Sequence, residues 1–170
     1  MKQTMETIAI VADGKKEKYE ELLPQLEALA DDESDGIATM ANISAALKTV
    51  FPAFSWVGFY RMQGDELVLG PFQGKVACVR IKIGSGVCGT AAKERRTIIV
   101  PDVDRFPGHI ACDPDSRSEI VVPVSNGSDL FGVLDIDSNT LDSFDETDRM
   151  YLEKAAEIVA QKFYHSQTQK

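Results

Sequence analysis

From Lys15 to Ala30 the segment KKEKYEELLPQLEALA repeats its apolar side chains at helical spacing, at Tyr19, Leu22, Leu26 and Leu29. The spacing predicts an amphipathic docking helix with Pro24 as a kink or restart. After an acidic turn, Asp31 to Gly36, a second stripe at Ile37, Met40, Ile43, Leu47 and Val50 predicts a second helix. Both stripes are read as core-facing, because an amphipathic helix must bury its apolar face. From Ser55 the period drops to two. SWVGFYRMQ, GDELVLGPFQG and KVACVRIKIG read as extended runs joined by glycine-containing turns, an antiparallel meander. A glycine-rich stretch and a short helix follow, then the strand TIIVPD, a long polar loop from Val103 to Ser118, the strand EIVVPVSNG, a turn at Asn126 to Asp129, and the strand LFGVLDIDS. Asp145 is placed to cap the amide of Asp148 at the start of a last helix, whose face carries Leu152, Ala155, Val159 and Phe163. The pattern predicts an α+β domain: a central six-stranded, mainly antiparallel sheet flanked by N-terminal and C-terminal helices.

At 170 residues the chain has the length of one domain, and no repeat, low-complexity segment or linker divides it. The N-terminal stretch shows no signal-peptide pattern and no apolar run is long enough to cross a bilayer, so a soluble, cytoplasmic protein with no membrane partner is expected. With 27 acidic residues against 18 basic ones, a net charge of −9 disfavours the phosphate contacts of nucleic-acid binding. Three cysteines, Cys78, Cys88 and Cys112, argue against a permanent disulfide framework and for thiols reduced at rest. Their spacing lacks the close cysteine pairs of structural zinc, so no metal is expected; a set of the three cysteines with His109 is the alternative.

Gly84-Ser85-Gly86-Val87-Cys88-Gly89 spells G-x-G-x-x-G between an apparent strand and an apparent helix, with Asp102 where a dinucleotide fold places its ribose acid. A parallel crossover needs about a dozen residues or more, yet only Thr90 to Arg96 precedes the next strand. The glycines are therefore read as a sharp strand-to-helix turn.

The loop from Arg105 to Pro123, RFPGHIACDPDSRSEIVVP, carries Cys112 between apolar anchors and the polar Asp113-Pro114-Asp115. Long loops inside compact domains tend to be functional. Alternation places Phe131, Val133, Asp135 and Asp137 on one face of their strand, Trp56 and Tyr60 on one face of theirs, and Glu119, Val121 and Pro123 likewise. If these faces converge, an aromatic wall stands beside three acids and a thiol. Such a pocket suits a small cation with an apolar end, and crowding raises the pKa of at least one carboxyl, giving a neutral proton donor near pH 7.

W-x-G-F-Y at Trp56 to Tyr60, G-x-x-x-C-x-x-I-x-x-G-x-G-V-C-G from Gly74, GHIACDPDSRSEIVVP from Gly108, GVLDIDS from Gly132 and FDETDRMYLEKAAEIV from Phe144 together resemble the free methionine-(R)-sulfoxide reductases, stand-alone GAF-domain enzymes. The likeness spans roughly residues 35 to 164, with all three cysteines at the family's positions. It implies one GAF-like domain over 1–170, with a core of about 35–164 and the helix 15–30 packed on it. It also implies that Cys112 attacks the sulfur of free methionine-R-sulfoxide while a carboxylic acid protonates the oxygen, leaving methionine and a sulfenic acid on Cys112. Cys78 is the resolving thiol the resemblance implies, with Cys88 also able to pair, and thioredoxin or another dithiol restores the enzyme without a bound cofactor. Glu119, Asp135 and Asp137 match the substrate-binding acids, none singled out as the proton donor. Trp56 matches the wall for the terminal methyl, with Tyr60 beside it. The substrate carboxylate, with no arginine to meet it, is expected at backbone N–H groups around Cys112. A homodimer is the family's usual arrangement.

The rival reading is a non-catalytic GAF module that binds a small molecule such as a cyclic nucleotide. Three thiols at these positions, and a chain expected to carry no output domain, argue for the enzyme.

Overall fold

The computed structural model describes residues 7–168. Helix α1 (Lys15–Asp31) runs unbroken through Pro24. Helix α2 (Gly36–Val50) begins where the Asp35 carboxylate accepts hydrogen bonds from the amides of Ile37 and Ala38, satisfying two free N–H groups of its first turn. Strands β1 (Phe54–Gln63), β2 (Glu66–Gln73) and β3 (Arg80–Lys82) come next, then helix α3 (Gly86–Glu94) and strand β4 (Ile98–Val100). After a 3-10 turn at Val103–Arg105, strands β5 (Ser118–Ser125) and β6 (Leu130–Ser138) lead into helix α4 (Glu146–Thr168). The sheet order is β3-β2-β1-β6-β5-β4, every pairing antiparallel. This is the predicted α+β architecture.

The sheet separates two cores. On one face α1, α2 and α4 pack through Leu22, Leu26, Met40, Ile43, Leu47, Leu152 and Val159 onto Val57, Phe59, Ile120, Leu134 and Ile136. Predicted stripe residues thus fill this core, except that Ile37 at the start of α2 stays 40% exposed. Asp145 caps α4 as expected: its carboxylate accepts from the amides of Thr147 and Asp148. On the other face, α3 and the loops cover Trp56, Tyr60, Val121 and Val133. Here the chain leaves edge strand β3 and crosses to β4 at the opposite edge, with α3 lying across the middle. The G-x-G-x-x-G segment is therefore no parallel crossover. A Cβ on Gly89 would overlap the Lys82 carbonyl oxygen, and Gly84 and Gly86 take φ of 86° and 60°. Only glycine fits such a close approach and left-handed backbone without strain.

Two expectations change. KVACVRIKIG is not one strand: only Arg80–Lys82 pairs, so Cys78 lies on a loop. Side chains take the carbonyls a ladder needs there: the Trp56 indole N–H donates to Lys75 O at 3.0 Å and the Tyr60 hydroxyl to Cys78 O at 3.0 Å. Nor does Phe131 share a face with Val133, Asp135 and Asp137. Val124 pairs with Gly132 but Ser125 with Leu130, so Phe131 is the extra residue of a bulge. It turns to the helix side and stacks on Phe163, ring centroids 5.6 Å apart, because a one-residue shift in a period of two reverses the face.

Candidate active site

Sheet register assembles the polar centre. Asp137 on β6 pairs with Trp56 on β1 and with Glu119 on β5, so indole, carboxyl and carboxyl stand side by side on three adjacent strands. Two residues along, Asp135 pairs with Gly58 and Val121 on the same face. Gly58 is required by this packing: a Cβ there would strike the Trp56 ring and Phe72 Cβ. Gly74 clears the other side of the indole, where a Cβ would overlap Trp56 Cδ1. The indole is stacked on Phe72 at 5.2 Å and Tyr60 at 6.0 Å between centroids, a rigid apolar wall.

Two loops close the mouth. Cys78 and Cys112 are joined by a disulfide with Cα atoms 5.7 Å apart, and Lys75 bonds across the same gap to Asp113 at 3.2 Å and Asp115 at 2.6 Å. Cys112, Cys88, Trp56, Tyr60, Glu119, Asp135 and Asp137 all line one cavity, so the faces read from alternation converge. Cys88 is a free thiol buried on α3, its Sγ 4.0 Å from Glu119 Oε1. The three-cysteine, one-histidine set is not formed, since Cys78 and Cys112 bond to each other.

Burial and crowding govern the charges. Burial, followed by the neighbouring Asp135 and Asp137, pushes Glu119 well above the usual carboxyl range; burial and Asp135 do the same to Asp137, against a 2.8 Å hydrogen bond donated by Ser116. Asp135 is raised by burial to about 6, opposed by hydrogen bonding with Cys88 and Glu119. Its Oδ1 is buried without a hydrogen-bond partner among the described residues, a costly state for an acceptor unless a ligand supplies a donor. Burial, then the charges of Asp135 and Glu119, raises the Cys88 thiol well above its ordinary value and keeps it protonated.

Sequence reasoning named His109 only as an alternative zinc ligand and missed Ser116 and Lys75 as parts of this site. His109 lines the mouth with Nε2 3.8 Å from Glu119 Oε2, its pKa lowered by burial; a titratable residue three positions before a loop cysteine was a readable signal. Ser116 and Lys75 act through contacts 21 and 38 positions away, which no local pattern carries.

Residues 31–162 match the family model of the GAF domain. The chain is 46% identical to the free methionine-R-sulfoxide reductase of Saccharomyces cerevisiae, over 86% of either chain. It is 52% identical to GAF domain-containing protein A of Dictyostelium discoideum, over 91% of this chain and 98% of that one. The X-ray structure of the free methionine-R-sulfoxide reductase of Neisseria meningitidis in complex with its substrate superposes with a TM-score of 0.93 at 47% identity, covering 98% of this chain and all of the other. Identity of this order over nearly the whole of both chains leaves one placement: the chain belongs to the free methionine-R-sulfoxide reductases, a family of oxidoreductases built on the GAF domain.

Proposed function

We propose that this chain reduces free L-methionine-(R)-sulfoxide to methionine in the pocket between Trp56 and the Cys78–Cys112 pair. The observation that carries the reading is one cavity lined by a cysteine of a two-thiol pair, the buried Glu119 and Asp135, the half-buried Asp137 and an aromatic wall. Asp135, whose Oδ1 is buried without a partner, takes the α-ammonium. Trp56 receives the terminal methyl. Glu119 and Asp137, pushed up, remain neutral donors toward the sulfoxide oxygen. The substrate carboxylate meets backbone N–H groups around Cys112.

In the reduced protein the Cys112 thiolate attacks the sulfoxide sulfur as a buried carboxyl protonates the oxygen. The oxygen ends on Cys112 as a sulfenic acid and methionine leaves. Cys78 then displaces that oxygen as water, forming the disulfide; their Cα separation of 5.7 Å lies within the range a disulfide requires. A thioredoxin-type dithiol reduces the bond and is itself oxidised, so each turnover consumes two electrons and two protons and no bound cofactor. Free methionine is preferred over a residue in a protein, because an amide in place of the ammonium leaves buried acids unpaired. The same proposal takes the chain as a single domain over 1–170, a homodimer and a cytoplasmic protein, a reading the family likeness supports.

The test is epimer-specific turnover. Purified protein with a dithiol should consume the free R epimer and leave the S epimer, and Cys112→Ser should be inactive; turnover surviving that substitution, or no turnover of the R epimer, would refute the reading. Sedimentation reports the oligomeric state.

A further inference from the structure

We propose that Cys88, Glu119 and Asp135 form a binding site for a thiophilic divalent cation of the zinc class, at the floor of the pocket. One ligand atom from each, the Cys88 sulfur and two carboxyl oxygens, lie within 4.8 Å of one another, and Cys88 Sγ is 4.0 Å from Glu119 Oε1. Around tetrahedral zinc, bonds of about 2.3 Å to sulfur and about 2.0–2.2 Å to oxygen set the sulfur–oxygen edge at about 3.5 Å. The Cys88–Glu119 edge therefore closes by about half an ångström, and every other edge, at 4.8 Å or less, by no more than about 1.3 Å. The three ligands come from α3, β6 and β5, elements that hold them in place without a metal.

The chemistry of the set selects the ion. A thiolate with two carboxylates suits zinc or cadmium, whereas magnesium and calcium take oxygen ligands alone. A dication also offers what this corner lacks: it relieves the repulsion among acids and satisfies the buried Asp135 Oδ1. On the other side of Glu119, Oε2 faces His109 Nε2 at 3.8 Å, just beyond hydrogen-bond reach. The fourth position opens into the cavity. This set shares only Cys88 with the disulfide-broken group of three cysteines and His109. Resting on the reading above in one respect only, occupancy would exclude the substrate ammonium and so inhibit turnover.

The disulfide form gives a clean test, because Cys88 is then the one thiol left among three cysteines. Titrated with Co²⁺, it should bind one equivalent and develop a thiolate-to-cobalt absorption band in the near ultraviolet, which Zn²⁺ abolishes by displacement. Cys88→Ser should remove the band, and Asp135→Asn should weaken binding at least about tenfold. No band in the oxidised wild type, or a band that appears only after reduction and vanishes in Cys112→Ser, overturns the proposal. The band reports Cys88 in the wild-type protein, so the test survives a variant that fails to fold. It needs no turnover, so its failure and that of the reductase reading are separable.

Discussion

The hydroxyl of Tyr60 donates a 3.0 Å hydrogen bond to the backbone carbonyl of Cys78, so one side chain forms the pocket wall and positions half of the disulfide. Tyr60→Phe keeps the ring and removes this bond. The expected loss of stability is about 1 kcal/mol, the net worth of one hydrogen bond. Single-turnover methionine release should be little changed, whereas disulfide formation should slow several-fold; stopped-flow thiol titration separates the two rates.

Cys78 and Cys112 are bonded while Cys88 lies buried beside Glu119, which favours Cys78 as the resolving thiol. Cys78→Ala should retain one turnover per enzyme and lose most dithiol-supported cycling. Undiminished cycling with thioredoxin as reductant would transfer the resolving role to Cys88.

Burial raises the Asp135 carboxyl from 3.8 to about 6. Between about pH 4 and pH 6 the folded chain therefore holds a proton that the unfolded chain has released. This contribution to stability is fully present below pH 4 and is lost as pH rises through 6. Asp135→Asn should melt higher than wild type at pH 7 to 8, by on the order of 2–3 kcal/mol, with the advantage fading below about pH 4. A gain independent of pH would argue that Asp135 is not the titrating group. In kinetics the same variant should raise KM at least about tenfold, whereas Glu119→Gln should lower kcat by roughly 10²–10⁴.

A Cβ on Gly89 meets backbone rather than a flexible side chain, so relief requires α3 itself to shift. Gly89→Ala should destabilise by about 1–3 kcal/mol and displace Cys88. Thermal melting reads the first effect, and loss of the cobalt band the second.

Asp148 is fully buried and accepts from the Lys15 ammonium at 2.6 Å, the Tyr19 hydroxyl at 2.8 Å and the Asp145 amide at 2.8 Å. This cluster fastens α1 to α4. Asp148→Ala removes the acceptor of the Tyr19 hydroxyl and the Asp145 amide, while Lys15 keeps Asp145 at 3.0 Å and the Ser143 carbonyl at 3.2 Å; it should cost about 1–3 kcal/mol, with faster amide exchange in α1 than in the sheet.

The helices, strands and capping residue could be read from the chain because each depends on neighbours a few positions away: a stripe at helical spacing or an alternating run has one stable way to bury its apolar side. The same alternation put Trp56 with Tyr60 and Asp135 with Asp137 on common faces. Phe131 escaped it, because the bulge arises from a register mismatch between β5 and β6 that neither strand encodes alone. Cys78 escaped it too, because Trp56 and Tyr60 claim the loop's carbonyls from a distant strand.

By itself, then, the sequence determined the elements, the residues able to do redox and acid chemistry, and the family they resemble. Tertiary structure alone decided which groups meet. The β1–β6–β5 register sets Trp56, Asp137 and Glu119 side by side, and the passage of α3 across the sheet lowers Cys88 onto Glu119. The reason is physical: periodicity fixes the direction of a side chain relative to its own element, whereas the distance between side chains on different elements depends on register and crossover, which the whole packed domain selects.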